Sequence, residues 1–510
     1  MKHEIVSEAL AALAAAHPEV IDRQPKRPSE ESAWSAAPPT DKTELHRSLT
    51  EDLAATAEAL IACEATVTNW DDERRWDQLA GAVTAVVQTW PKVGLDLLEA
   101  VGSGHAAIDQ AVVRGWTTSD PDTELVPRIL RQIAALELEP ILGSVTAMLG
   151  GFANSGSKPV EWYSFAESDE LAKKCWDSIP PTAHSTSPST GDYTMMAINH
   201  PAGHLEEFWV EKVGHLWRSA SESWKGIPPD VADYLAELIA EEGTRSEVVK
   251  IAFCRYLDFF YRSDAEWCKQ YLYPLLDWDN SSHARQAWSG FLRHGGWSNK
   301  LLADGFLEML VPATSHTDDL DTHGQRNLPR LLAAIAIQSD IEPRSWIRGL
   351  ITKSSVPNRV VWAQAIRFQI DALGPKAVEK QWERWMRDYF SDRVSSVPRT
   401  LDPTEATAMA GWIPFLTDSM PAAIDMVLQV DTAGFSLHDL FFRDLSDDRI
   451  ARAPEKVAEL VHHLLKSTDG QFFGGHEIQR VYEVFKSASV SSHILHKVAE
   501  EAIRLGFTLE

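Results

Sequence analysis

The chain has 510 residues, 44% of them hydrophobic, so it is long enough to bury the core of one extended architecture or of several ordinary domains. Its 74 acidic and 48 basic side chains give a formal net charge of -26, which repels phosphate backbones and anionic membranes and argues against nucleic acid as a bulk partner. No run of about 18 apolar residues occurs and the N-terminus lacks a long apolar segment, so we expect a cytoplasmic protein without a membrane span or signal peptide.

The composition along the chain predicts four segments. Residues 1–42 predict an N-terminal helix followed by a flexible linker or docking arm, because residues 17 to 42 are rich in proline, serine and charge. Residues 43–176 predict an N-terminal helical block, and residues 177–193, again rich in proline, serine and threonine, predict a long loop. Residues 194–510 predict a C-terminal helical-repeat block.

Apolar residues recur at steps of three and four almost throughout the chain, as in Val126, Ile129, Leu130 and Ile133. Alternation typical of strands is almost absent, and short proline-containing connections separate the periodic stretches. The sequence therefore predicts an all-α fold, an irregular α-solenoid of HEAT-like helical hairpins with about twenty helices. The four cysteines form no CxxC pair and are expected to be buried thiols: Cys63, Cys175, Cys254 and Cys268.

Residues 151–158, "GFANSGSK", have the glycines and lysine of a phosphate-binding loop but not its spacing. In that loop the lysine follows the second glycine directly, whereas Ser157 intervenes here, and the preceding stretch has helical rather than strand periodicity. We expect a helix that ends at Gly150 and Gly151, followed by a loop.

Residues 197–217, "AINHPAGHLEEFWVEKVGHLW", concentrate histidines and glutamates. We expect a helix with Asn199 as its cap and Pro201 in its first turn, and with a heavy apolar stripe facing the core. His204 and His215 share a polar stripe with Glu211, but at a rise of about 1.5 Å per residue the two histidines lie roughly 16 Å apart along the axis, too far to share one metal ion. A structural helix is therefore the favoured interpretation.

An enzymatic alternative stays open for the same stretch. A hydrolase could use His200, His204 or Glu207 together with residues that are distant in sequence. Stoichiometric zinc in the purified protein would favour that alternative.

Two further acidic positions are expected to cap helices. Asp277 and Asp279 could suggest metal or acid/base chemistry, but Asp279 and Asn280 suit the cap of the helix that follows. In "LDPTE", Asp402 is expected as N-cap, with Pro403 at the first helical position and the charge of Glu405 favourable near the helix N-terminus.

Residues 381–390, "QWERWMRDYF", carry an aromatic stripe whose members are Trp382, Trp385, Met386, Tyr389 and Phe390. We expect this stripe to pack inside the solenoid with four basic residues outside it, Lys380, Arg384, Arg387 and Arg393. The alternatives are a surface that binds a protein partner and a surface that stacks nucleic-acid bases, the second disfavoured by the acidic charge of the chain.

Three stretches, "MMAINHPAGHLEEFWVEKVGHLW", "YPLLDWDNSSHARQAWSGFLRHGG" and "WERWMRDYFSDRVSSVPRTLDPTEATAMAGWIPFL", resemble a helical region of unknown function found C-terminal to sirtuin-type NAD-hydrolysing domains in bacterial anti-phage proteins. The stretch "RRWDQLAGAVTAVVQTWPKVGLDLLEAV" is similar to the helical repeats that precede that region, so the resemblance covers about residues 70–510. It implies that an effector domain degrades NAD while the helical part assembles the complex or senses a phage component.

The chain itself shows no Rossmann-like half, so the resemblance implies that any NAD-consuming chemistry lies on another polypeptide. We therefore expect a non-catalytic scaffold or sensor subunit of an anti-phage system, which binds an effector enzyme, a phage protein or a copy of itself. No catalytic, cofactor-binding or metal-binding residue and no cofactor is predicted. The alternatives are the hydrolase described above and a nucleic-acid-binding helical repeat.

Overall fold

The protein is described as a computed structural model that covers residues 37–151, 160–181, 193–433, 441–468 and 475–507, together with residue 509. All regular secondary structure in these ranges is helical, which confirms the predicted all-α class. Residues 1–36 of the predicted N-terminal helix and linker and most of the predicted loop at 177–193 lie outside the described residues, and Lys42, the last residue of the predicted linker, begins the first described helix.

The described ranges contain 27 helices, more than the roughly twenty expected, because many are too short to show a full apolar period. The first ten are α1 Lys42–Glu51, α2 Leu53–Ala65, α3 Trp70–Thr89, α4 Pro91–Val101, α5 Ala106–Thr117, α6 Val126–Ala135, α7 Leu142–Leu149, α8 Ala166–Ser178, α9 Tyr193–Asn199 and α10 Pro201–Ala220. The next five are α11 Pro229–Ala240, α12 Thr244–Arg255, α13 Leu257–Ser263, α14 Ala265–Tyr271 and α15 Ser281–His294.

Two helices contain a π-helical turn. Helix α16 comprises Asn299–Leu301, the π turn Leu302–Phe306 and Leu307–Ala313, and α20 comprises Pro375–Gln381, the π turn Trp382–Met386 and Arg387–Val394. The remaining helices are α17 Thr322–Gln338, α18 Ile347–Lys353, α19 Val356–Asp371, α21 Pro403–Ala410, α22 Met420–Val427, α23 Phe441–Asp444, α24 Asp447–Ile450, α25 Pro454–Lys466, α26 Gly475–Ser487 and α27 Ser492–Arg504.

The chain divides into two compact units. Unit 1 comprises residues 1–184, 198–224 and 242–246, and unit 2 comprises residues 185–197, 225–241 and 247–510. Helix α10, which the sequence grouped with the C-terminal block, thus packs in unit 1, since its apolar stripe rests on α7 and α8.

Within each unit, alternate helices lie side by side. In unit 1 the row is α1, α3, α5, α7 and α10, and in unit 2 one row is α15, α17, α19 and α21 while a second contains α20, α22, α25 and α27. Rows of alternate helices are typical of stacked helical hairpins, so each unit has the organisation of an irregular α-solenoid.

The four cysteines are buried, as predicted. Burial raises the pKa of the Cys175 thiol to about 12 and also raises the pKa of Cys268. In the described ranges, no helix combines the length and the apolar character that crossing a membrane requires.

Candidate functional site

The histidine-rich helix α10 begins one residue later than predicted. His200, not Asn199, is the N-cap, and its Nδ1 accepts a hydrogen bond from the backbone N–H of Ala202 at 3.1 Å. Pro201 occupies the first helical turn, as predicted. The position changes because Asn199 is the last residue of helix α9 and His200 has the extended backbone that a cap requires.

His204 contributes to helix packing within unit 1. Its Nδ1 lies 3.2 Å from Oγ1 of Thr146 on α7, and a Cβ on Gly150 would lie 2.5 Å from the His204 carbonyl oxygen. The absence of a side chain at Gly150 thus lets the two helices approach closely. Burial lowers the pKa of both His200 and His204, which favours the neutral imidazole.

The other members of the predicted polar stripe contact different neighbours. Glu211 lies 3.8 Å from the guanidinium of Arg218, and His215 lies 4.0 Å from the carboxylate of Glu161. In the part of the chain that the structure describes, no three His, Cys, Asp or Glu side chains come together as a possible metal site.

The remaining loop and cap predictions are mostly confirmed. Gly150 ends helix α7 and Gly151 follows with a positive φ of 71°, whereas the rest of the "GFANSGSK" stretch lies outside the described residues. Asn280 caps α15 through its contact with the backbone N–H of His283, as predicted. Asp279, predicted to share this cap, lies instead within a short 3-10 turn, where its N–H donates to Asp277.

The aromatic stripe of α20 is buried, as the packing interpretation predicted, and none of its members is more than 5% exposed. The stripe as a whole is therefore not an open surface for a partner or for base stacking, although Trp385 and Tyr389 line a cavity. Lys380 and Arg387 are exposed and Arg384 is half-buried, but Arg393 is fully buried, which corrects the prediction that it lies outside. Arg393 is drawn inward because it has an acidic partner on another helix.

That partner is Glu405, the centre of a buried group of three charges. Its Oε2 accepts a hydrogen bond from Nε of Arg359 at 2.7 Å, and its Oε1 accepts from Nε of Arg393 at 2.7 Å. All three side chains are at most 3% exposed. We call Arg359, Glu405 and Arg393 the buried triad, and it joins helices α19, α20 and α21.

Arg393 uses all five of its N–H groups. Besides the Nε bond, Nη2 donates to Oε2 of Glu405 at 3.0 Å and to the carbonyl of Thr400 at 3.3 Å. Nη1 donates to the carbonyls of Val397 at 3.0 Å and Arg399 at 2.7 Å. Since a guanidinium carries five N–H donors, Arg393 has none left for a ligand, and it fixes the loop that follows α20.

Sequence reasoning missed the triad, although it placed Glu405 correctly near the start of α21. Asp402 is the N-cap and accepts from the N–H of Thr404 at 2.9 Å, with Pro403 at the first helical position, as predicted. Glu405 was expected to act through the helix dipole, whereas it is fully buried between two arginines. No local signal marks this pairing, because Arg359 lies 46 residues earlier in the chain.

A cavity of about 330 Å³ lies against the triad, between α18, α20 and the loop at 395–398. Its floor contains the apolar side chains Ile347, Ile351 and Trp385, and Val397 with Pro398 forms one wall. Tyr389 also lines it, and its hydroxyl donates to Oε1 of Glu405 at 3.4 Å. Burial, together with the nearby carboxylate, raises the pKa of Tyr389 well above its usual value, so the phenol stays protonated.

Two parallel ion pairs form the rim of the cavity. Arg344 lies 2.8 Å from Asp388 and 3.8 Å from Glu342, and Arg348 bonds Asp392 through two nitrogens at 2.8 and 3.1 Å. Arg348 is 66% exposed and Asp392 is 31% exposed, so both can be reached from solvent. The cavity thus combines an apolar floor, a charged rim and a wall held by the triad.

A second group with perturbed chemistry lies in unit 1. Asp109 of α5 is 4% exposed, and its Oδ1 has no hydrogen-bond partner in the described residues. Burial, and to a smaller degree the nearby charge of Glu64, raises its pKa to about 6 against an opposing effect of His105. Glu64 itself contacts Nδ1 of His105 and the N–H of Ala107, both at 2.8 Å.

We expect Asp109→Asn to stabilise unit 1 at neutral pH. The folded carboxyl keeps its proton up to about pH 6 while the unfolded one loses it near pH 4, so wild-type stability falls as pH rises between these values. The free energy of unfolding of the variant should exceed that of the wild type by almost nothing at pH 4 and by about 1–3 kcal/mol above pH 6. Urea unfolding at pH 4.5 and 7.5 measures it.

Asp77→Asn, at an exposed position on α3, is the matched control and should show the same difference from wild type at both pH values. An equal effect of pH on the two variants would show that Asp109 carries no such penalty.

A protein-family model matches part of the chain. The model of a domain of unknown function, DUF4020, matches residues 336–502, which include the triad and the cavity. No curated protein and no solved structure matches the chain. The chain is thus similar over this stretch to a domain of unknown function, which confirms that part of the resemblance seen in the sequence.

Proposed function

We propose that this chain is a scaffold or sensor subunit without chemistry of its own, which binds a protein partner in a bacterial anti-phage defence system. The partner is an effector enzyme, with an NAD-hydrolase on another chain as the first candidate, or a phage protein. The defence context comes from the sequence resemblance to helical regions that accompany sirtuin-type NAD-hydrolase domains.

One observation carries the binding role. Arg393 spends its five donors on Glu405 and loop carbonyls and so fixes the wall of the cavity, while Arg344 and Arg348 at the rim stay exposed beside their aspartate partners. A fixed wall and an apolar floor below a solvent-exposed charged rim make a surface that a partner can recognise. Stacked helical hairpins are also a common framework for such surfaces.

The test has two parts. The purified full chain, incubated with NAD or ATP, should leave both unchanged, and it should contain no stoichiometric zinc. In cells, the chain and its neighbouring genes should together lower NAD after phage infection, and removal of either the chain or the effector gene should abolish that loss. Total NAD measured by mass spectrometry gives the readout.

Turnover of either nucleotide by the purified chain, lost in His204→Ala, would replace the proposal with the hydrolase alternative. NAD loss that persists without the chain would show that the chain is dispensable for the response.

A further inference from the structure

The helices that form the cavity are a basic region in an acidic protein. Between residues 340 and 405, which include the acidic partners Glu342 and Glu405, the chain has eleven Lys or Arg and nine Asp or Glu residues, a net charge of +2, whereas the whole chain carries -26. The exposed or half-exposed members of the basic set include Arg344, Arg348, Arg387 and Arg399. An acidic partner is therefore attracted to this region and repelled by the remainder of the chain.

The buried triad accounts for part of this positive charge and places it beside the cavity. Arg359 and Arg393 carry two positive charges against the single carboxylate of Glu405, and Arg393 lines the cavity. Because these groups are almost fully removed from water, salt screens their field less than it screens surface charges. The cavity therefore has one uncompensated positive charge behind its wall.

The rim can exchange its internal carboxylates for those of a partner. Arg348 is bound by Asp392 at the edge of the cavity, and Arg344 is bound by Asp388 one helical turn away. A carboxylate from a partner can take the place of either aspartate at its exposed arginine, and the arginine then keeps a charge-assisted bond. The apolar floor beneath the rim offers a place for one large side chain.

We propose that the cavity between α18 and α20 binds an acidic segment of a protein partner, with Asp or Glu residues at Arg344 and Arg348 and one large apolar side chain inserted between them. This inference rests on the proposed scaffold function and names the site and the chemistry of the partner. A protein segment fits better than a polynucleotide, because every nucleotide of a polynucleotide carries a phosphate charge and the net charge of -26 repels such a backbone outside this region.

A peptide selection tests the proposal on the full chain. Random 12-residue peptides are displayed and selected on the wild-type protein, and the enriched sequences should contain several Asp or Glu residues around one Leu, Phe or Trp. Binding of an enriched peptide is then measured by fluorescence anisotropy, and it should weaken as NaCl concentration rises.

Two variants that break the same ion pair separate recognition from structure. Arg348→Glu should weaken peptide binding by about tenfold or more, whereas Asp392→Asn, which frees Arg348, should leave binding unchanged or make it tighter. Arg330→Glu, an equal charge change at an exposed position on α17 outside the cavity, should change binding by less than about twofold. Ser391→Trp, which places a bulky ring at the exposed edge of the cavity, should block binding.

Enrichment of basic or uncharged peptides, no enrichment, or equal losses in Arg348→Glu and Asp392→Asn would overturn the proposal. Binding of a 20-nucleotide single-stranded DNA that is lost in Arg348→Glu would assign the region to nucleic acid instead.

The infected-cell assay separates this proposal from the proposed function. If the chain is required for NAD loss but Arg348→Glu and Ser391→Trp both act as wild type, the cavity is not the binding site for the partner. The proposed scaffold function is then unaffected. If the chain is dispensable, the scaffold function fails, whatever the peptides show.

Discussion

Glu405→Gln should destabilise unit 2 by about 3–5 kcal/mol, because it leaves two arginines buried without a negative partner. The substitution keeps the size of the side chain, so the loss reports charge and hydrogen bonding rather than a cavity. Arg359 and Arg393 are 3% and 1% exposed, and neither can be rehydrated without moving a helix. Denaturant unfolding followed by tryptophan fluorescence measures the change, since Trp362, Trp385 and Trp412 lie in the core of this unit.

The matched control is Glu383→Gln, which removes one carboxylate charge from an exposed position of α20. This substitution should change the free energy of unfolding by no more than about 0.5 kcal/mol. Similar unfolding midpoints for the two variants would mean that the triad does not hold these helices together.

Gly290→Ala should destabilise unit 2 by about 3 kcal/mol, although alanine is normally the better helix former. Gly290 lies in the middle of α15, and a Cβ there would overlap the carbonyl oxygen of Ile251 on α12. That oxygen belongs to the backbone, so relief requires the two helices to move apart. The midpoint of thermal unfolding, followed by circular dichroism, measures the loss.

The same substitution at Gly81 should have the opposite sign. Gly81 lies on the exposed side of α3 with no atom within 4 Å of the added Cβ, so Gly81→Ala should stabilise by about 0.5–1 kcal/mol. Equal effects at the two positions would show that the close approach of α15 to α12 is not a constraint on the fold.

The contrast between Arg387 and Arg393 shows which side-chain positions sequence periodicity can predict and which it cannot. Both were placed outside the aromatic stripe of α20, and Arg387 is exposed while Arg393 is buried. Periodicity assigns a face of a helix from residues three and four apart, but it does not reveal which charged side chain meets a partner from another helix. The ion pair with Glu405 of α21 makes the burial of Arg393 possible.

The cavity illustrates the same limit for the candidate site. Its rim residues on α20, Asp388 and Asp392, are spaced one turn apart and are visible in the sequence as one edge of a helix. Their partners Arg344 and Arg348 lie 44 residues earlier and carry no motif that links them to α20. The sequence analysis singled out residues 381–390 and considered their aromatic rings as a binding surface. It did not consider the charged residues at the edge of the same helix.

The sequence by itself determined the helical class, the caps at Asn280 and Asp402, and the burial of the aromatic stripe, because these depend on interactions within one or two helical turns. Only the tertiary structure decided that Glu405 joins Arg359 to Arg393, that Gly290 touches α12, and that a cavity opens beside the triad. These features depend on how helices distant in sequence pack against one another. The spacing of residues within one helix does not determine which other helix it contacts.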